Sequence, residues 1–151
     1  PLTPVTDVSP TGVGAFLTQS FNPARSLLGK TQLADLKADL KAAQTANITW
    51  KFVMIPEPIQ NLGVVGGEDR YEGFAAERTD LLKFITTEGI KNVVFVTADI
   101  HGTVVNNLTY EEAPLGPKTP TGAFEISTGP IAFDKPFGPT VADLAAGLGL
   151  L

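Results

Sequence analysis

At 151 residues, with 43% hydrophobic and 18% charged side chains, the chain has the length for one domain with a real core and is too apolar to be disordered. A formal charge of −5 argues against the basic face that nonspecific nucleic-acid or acidic-membrane binding needs. It does not exclude a phosphate-bearing substrate, because bound metal ions supply positive charge locally. With no cysteine, disulfides, zinc ribbons and cysteine nucleophiles are excluded, and no apolar run approaches the ~20 residues of a membrane span.

Residues 1–24 contain Pro1, Pro4, Pro10, Gly12, Gly14 and Pro23 without sustained periodicity, and are expected to form an extended segment that touches a sheet near Val13–Leu17. The start at Pro1, without methionine or a signal-peptide pattern, is expected of a mature chain, a deliberately trimmed one or a piece of something longer, with the piece preferred. From Thr31, a plausible N-cap, Leu33, Leu36, Leu40 and Ala43 recur at spacings of three and four, which predicts a helix ending near Asn47. Residues 50–55 read as a buried strand stopped by Pro56-Glu57-Pro58. The following Gly- and Pro-rich loop, 56–74, is long enough without regular structure to suggest that it shapes a site. A second helix is expected over 75–88, with Leu81, Leu82 and Ile85 inward and Gly89 as a left-handed terminator.

The stretch from Val93 to Thr97 is apolar or β-branched throughout, as suits a strand buried on both faces of a parallel sheet. It runs into Asp99 and His101, the only histidine, spaced D-x-H. Ligands gather beyond the carboxyl ends of strands in open α/β sheets, and an Asp oxygen with a His nitrogen is a usable fragment of a zinc, iron or manganese site. By pattern alone the plainer reading is an Asp capping a turn beside a hydrogen-bonded core His. Strands over 103–110 and 123–128 follow, expected to be antiparallel. Gly129-Pro130 closes the second, and a short apolar helix is expected over 141–146.

Several stretches together carry a resemblance. Arg25-Ser26-Leu27-Leu28-Gly29 precedes Gln32-Leu33 at the first helix, and Thr49-Trp50-Lys51-Phe52-Val53 enters the first strand. Asp69-Arg70-Tyr71-Glu72-Gly73-Phe74 leads to Glu77-Arg78, Thr97-Ala98-Asp99-Ile100-His101 carries the D-x-H, and Phe124-Glu125 leads to Thr128-Gly129-Pro130. In this order over 25–139 the chain resembles the C-terminal half of the alkaline phosphatase D-like branch of the calcineurin-like metallophosphoesterases. Tyr71 and Phe74 replace the family's other aromatic residues there.

The resemblance implies an α/β fold, a layered sandwich of which this is the C-terminal half. Residues 25–139 would form that half, 1–24 an N-terminal extension and 140–151 a tail with a short helix. It implies hydrolysis of phosphate mono- or diesters by a two-metal site, the ions being Fe, Ca, Zn or Mn. Asp99 and His101 would be metal-binding and catalytic, with the other ligands on an N-terminal half as a separate or missing segment. Arg70 and Arg78, on the loop and helix entry, are candidates for binding the phosphate ester, with surface charge or a helix-capping ion pair with Glu77 as the plainer alternative. The resemblance also implies export to a periplasm or beyond the cell.

Other chemistries find less support. Gly63, Gly66 and Gly67 lack the Lys-Ser/Thr of a phosphate-cradling loop, and no G-x-S-x-G nucleophile elbow occurs. A glycosidase pair among Glu57, Glu72 and Glu125 remains open, with nothing in the sequence placing two of them together. The competing class is a catalytically incomplete fragment or a non-enzymatic domain that binds a ligand or partner, with an apolar sheet face left exposed.

Overall fold

The structure, a computed structural model, describes residues 2, 9–130, 142–143 and 146–147. Its elements are α1 (Pro10–Ser20), α2 (Lys30–Thr45), β1 (Lys51–Met54), a 3-10 turn (Tyr71–Phe74), α3 (Ala75–Thr87), β2 (Val93–Thr97), β3 (Val104–Tyr110) and β4 (Thr119–Ser127). The four strands form one sheet in the order β1-β2-β4-β3. β1, β2 and β4 are parallel neighbours, and β3 lies antiparallel to β4 at the far edge. The antiparallel expectation therefore holds for the β3–β4 pair alone. Two chain reversals bring β4 back beside β2 in the parallel sense.

Helix α3 anchors the helical layer. Leu81, Leu82 and Ile85 are wholly buried and pack with Val53, Val93 and Phe95 of the sheet. Each such side chain stabilises the fold by roughly 1.5–3 kcal/mol through apolar burial. The helix ends as expected: Gly89 takes φ +62°, its N–H donates to Thr86 O, and Ile90 N–H donates to Ile85 O. These are the paired bonds of a Schellman end, sealed by buried Ile85 and Ile90. Helix α2 packs against α3, with Leu40 buried and Leu33 and Leu36 against the same core.

Three expectations change. Residues 10–20 are helical rather than extended, because Pro10 occupies the first helical position, where its missing N–H costs nothing, and the Ser9 hydroxyl accepts from Gly12 N–H at 3.3 Å. Helix α1 packs on the 3-10 turn, with Phe16 buried. Helix α2 is capped by Gly29, without a side-chain cap, so Thr31 lies inside the helix. Strand β1 is an edge strand and only half buried: Phe52 is 66% and Met54 81% exposed. Their side of the sheet continues in register through Val94 and Phe124, and through Val96, Ile126 and Val105, the last also exposed. Of the tail helix, residues 142, 143, 146 and 147 are helical, and the remainder of the expected span lies outside the described residues.

Candidate functional site

The parallel strands end together. Beyond β1 and β2, Ala98 N–H donates to Pro56 O at 3.0 Å, and beyond β2 and β4, Thr128 N–H donates to Thr97 O at 2.9 Å. The chain thus leaves β1 through Glu57 and β2 through Asp99 as neighbours, close enough for the Asp99 carboxylate to raise the pKa of Glu57.

The D-x-H segment is a turn of unusual backbone. Asp99 has φ +66° and His101 φ +52°, both left-handed, around buried Ile100. Ile100 N–H donates to Ala98 O at 2.8 Å. Left-handed non-glycine residues cost on the order of 1–3 kcal/mol each and persist where their surroundings enforce them. Burial of Ile100 is one such restraint. Gly129 is another: a Cβ there would lie 3.0 Å from both Cα and N of Gly102, so β4 leaves the sheet tight against the residue after His101.

Negative charge collects at this end of the sheet. Burial, then repulsion from Asp99 and Asp69, push Glu57 up to about 7, against a lowering pull from Arg70. A glutamate that titrates near neutrality beside a carboxylate marks a place where a cation would relieve repulsion. Sequence reasoning missed Glu57 in this role. The available signal was its position directly beyond a strand end, the same logic that picked out Asp99.

Asp99 and His101 offer an oxygen and a nitrogen donor, types that suit zinc, iron or manganese. Among the described residues, no three His, Cys, Asp or Glu side chains are grouped to hold a metal ion. The donor types fit a metal, and the donor number is that of a partial site.

The two candidate phosphate-binding arginines are both turned into the protein. Arg78 is buried, donating from Nε to Ile59 O and from Nη2 to Thr109 O at 2.6 Å. These two bonds fasten the 56–74 loop to β3. Arg70 is buried too, donating from Nη2 to Gly63 O and Val65 O, each at 3.1 Å, with Nε 3.4 Å from Glu72 Oε2. It lies close enough to Glu57 to lower that residue's pKa, so it borders the site while bracing the loop.

Glu77 is not paired with an arginine. Its carboxylate accepts from the Ser26 hydroxyl and from Leu27 N–H and Leu28 N–H at 3.1 and 3.0 Å. Tyr71 is a core residue, and Phe74 lies under the Arg25 guanidinium, 4.6 Å from the ring centroid, which makes both aromatic residues anchors.

A mixed four-stranded sheet packed against helix α3, with an Asp-x-His turn beyond the middle one of its three parallel strands, defines the class: an α/β protein of layered type. The family model described as PhoD-like phosphatase matches residues 6–144, and the chain belongs to that family. Alkaline phosphatase D of Bacillus subtilis (strain 168) is 31% identical over 99 residues, 60% of this chain and 16% of that protein. A solved structure of PhoD superposes with a TM-score of 0.59 at 25% identity, covering 73% of this chain and 21% of that one. The chain thus spans about a fifth or less of these relatives. The family match also takes in the α1 region, so it reaches beyond the expected 25–139 at both ends.

Proposed function

We propose that this chain forms part of a metal-dependent phosphoesterase that hydrolyses phosphate mono- or diesters, contributing Asp99 and His101 as metal ligands. The observation that carries the reading is the Asp99–His101 turn, held in left-handed backbone beyond the central parallel strand. Family membership supports a phosphate ester as the substrate class. Bound metal ions would supply Lewis acidity and lower the pKa of water toward ~7. The chain's own residues present the two donors, keep them in one turn, and set Glu57 beside Asp99. Arg70 steadies the loop at the margin of the site. The remaining ligands come from beyond the described residues, in sequence corresponding to the rest of the longer relatives. Export is part of the same reading, and no helix among the described residues is long and apolar enough to cross a membrane.

A second reading has its own support: the exposed Phe52, Met54 and Val105 make an apolar sheet face suited to packing against a partner, as in a catalytically incomplete piece. Intact mass and metal content, measured for this chain and for the complete gene product, separate the two. The hydrolase reading expects about two metals per complete protein, turnover of a generic phosphodiester, and loss of turnover in His101→Ala. Turnover unchanged in His101→Ala would refute the role given to the turn. Metal-free, inactive complete protein would leave the binding-domain reading.

A further inference from the structure

Glu125 lies within the sheet, on β4 between Phe95 of β2 and Asn106 of β3, and is wholly buried. A buried carboxylate is costly unless its oxygens are satisfied. Here they are: Oε1 accepts from the Thr97 hydroxyl at 2.8 Å and from Ile59 N–H at 2.8 Å, and Oε2 accepts from Gln60 N–H at 3.1 Å. Ile59 also gives its carbonyl to Arg78. One peptide segment is therefore held at its N–H by a buried anion and at its C=O by a buried cation.

The positions of these bonds matter more than their number. Thr97 precedes Asp99 by two residues, and Ile59 follows Glu57 by two. Glu125 thus binds both chain segments that carry the neighbouring carboxyl groups, one at the last residue of β2 and the other in the loop that follows β1. Hydrogen bonds to charged groups contribute about 1.5–3 kcal/mol each, more than ordinary ones. A neutral amide at 125 keeps one acceptor oxygen but turns an N–H₂ toward one of the backbone donors.

We propose that Glu125 is a positioning residue for the metal-ligand turn: it fixes the end of β2 and the base of the 56–74 loop so that Asp99 meets its metal in a set geometry. This rests on the proposed function. Partners that orient metal ligands typically change metal affinity 10–100-fold when replaced.

The test measures Mn²⁺ binding by equilibrium dialysis, and thermal unfolding of the metal-free form, in the complete gene product and four variants. Glu125→Gln is expected to weaken Mn²⁺ binding about 10–100-fold. Thr97→Val, nearly equal in shape and lacking only the hydroxyl bond, is expected to shift affinity the same way by less. It decides the matter if Glu125→Gln fails to fold. Glu77→Gln is the control, since that carboxylate also takes three internal hydrogen bonds, but to residues 26–28. It should lower the unfolding temperature and leave Mn²⁺ affinity unchanged. Equal loss of affinity in Glu77→Gln and Glu125→Gln, or wild-type affinity in both Glu125→Gln and Thr97→Val, overturns the positioning role. His101→Ala isolates the parent reading. Undiminished Mn²⁺ binding there sinks the metal-site assignment itself, whereas its loss beside wild-type binding in the position-125 and position-97 variants sinks the positioning role alone.

Discussion

Replacing Arg78 distinguishes a substrate-binding arginine from a fastening one. In Arg78→Ala the carbonyls of Ile59 and Thr109 lose their donors in the interior, where water cannot readily replace them. Each bond from a charged donor contributes about 1.5–3 kcal/mol, so the pair accounts for about 3–6 kcal/mol. Glu72 and Glu125, both buried, also lose a neighbouring positive charge. Removing one member of a buried charged set typically costs about 3–5 kcal/mol, which agrees with the hydrogen-bond count. Against a total stability of about 5–15 kcal/mol, a loss near 4 kcal/mol is large. Urea unfolding of wild type, Arg78→Ala and Arg78→Lys is the assay. The Lys variant should recover part of the loss, since it keeps the charge but cannot reach two divergent carbonyls as a rigid fork. A change below about 1 kcal/mol in Arg78→Ala, together with a raised KM for a phosphodiester, would refute this reasoning and return Arg78 to the substrate.

Three further outcomes follow from the geometry. Glu57, pushed up to about 7 from an ordinary 4.5, holds its proton more tightly folded than unfolded, so its contribution to stability is full below about 4.5 and is lost as pH rises through 7. Metal-free protein should lose stability across that window in denaturant titrations, and Glu57→Gln should flatten the dependence. Gly129→Ala puts a Cβ 3.0 Å from the Gly102 backbone, and the resulting shift should cost about 1–3 kcal/mol while weakening Mn²⁺ binding next to His101; wild-type values for both would show that the contact yields freely. Met54→Ser removes a side chain that is 81% exposed, so its effect on this chain's own unfolding should stay within about 0.5 kcal/mol; a larger loss would mean that the face is covered.

The regular elements were legible where local chemistry decides them. Val93–Thr97 is apolar enough to announce an interior strand, and Gly89 after a periodic run announces the end of α3. Pro10 misled because a proline is a helix breaker or a helix opener according to its position, and that depends on whether Ser9 caps. The Lys51–Met54 strand misled because apolar composition does not reveal whether both faces of a sheet are covered. For the site, the D-x-H spacing and its place after a strand stood out in one dimension. Glu57 beside Asp99 did not, since the two are brought together by the parallel pairing of β1 with β2. Arg78 reads as a phosphate binder or an ion-pair partner of Glu77 because nothing local shows that its partners are carbonyls 19 and 31 residues away.

The internal charges share one logic. Loops rich in glycine and proline leave backbone N–H and C=O groups without helix or sheet partners, and inside a protein each must be satisfied. Glu77 serves the N–H groups of Leu27 and Leu28, Glu72 that of Leu62, and Glu125 those of Ile59 and Gln60. Arg70 and Arg78 serve the opposite need, donating to Gly63, Val65, Ile59 and Thr109. Part of the acidic composition is therefore spent inside, holding irregular backbone against a regular sheet. A loop restrained in this way can place Glu57 beside Asp99 reproducibly, which a loop held by apolar contacts alone, free to slide, would not. The same arrangement makes the site sensitive to residues that never touch a ligand. Neutralising one buried carboxylate strands one or two backbone donors at once, so losses from such changes should be cooperative rather than additive when two of them meet at one segment, as Glu125 and Arg78 do at Ile59.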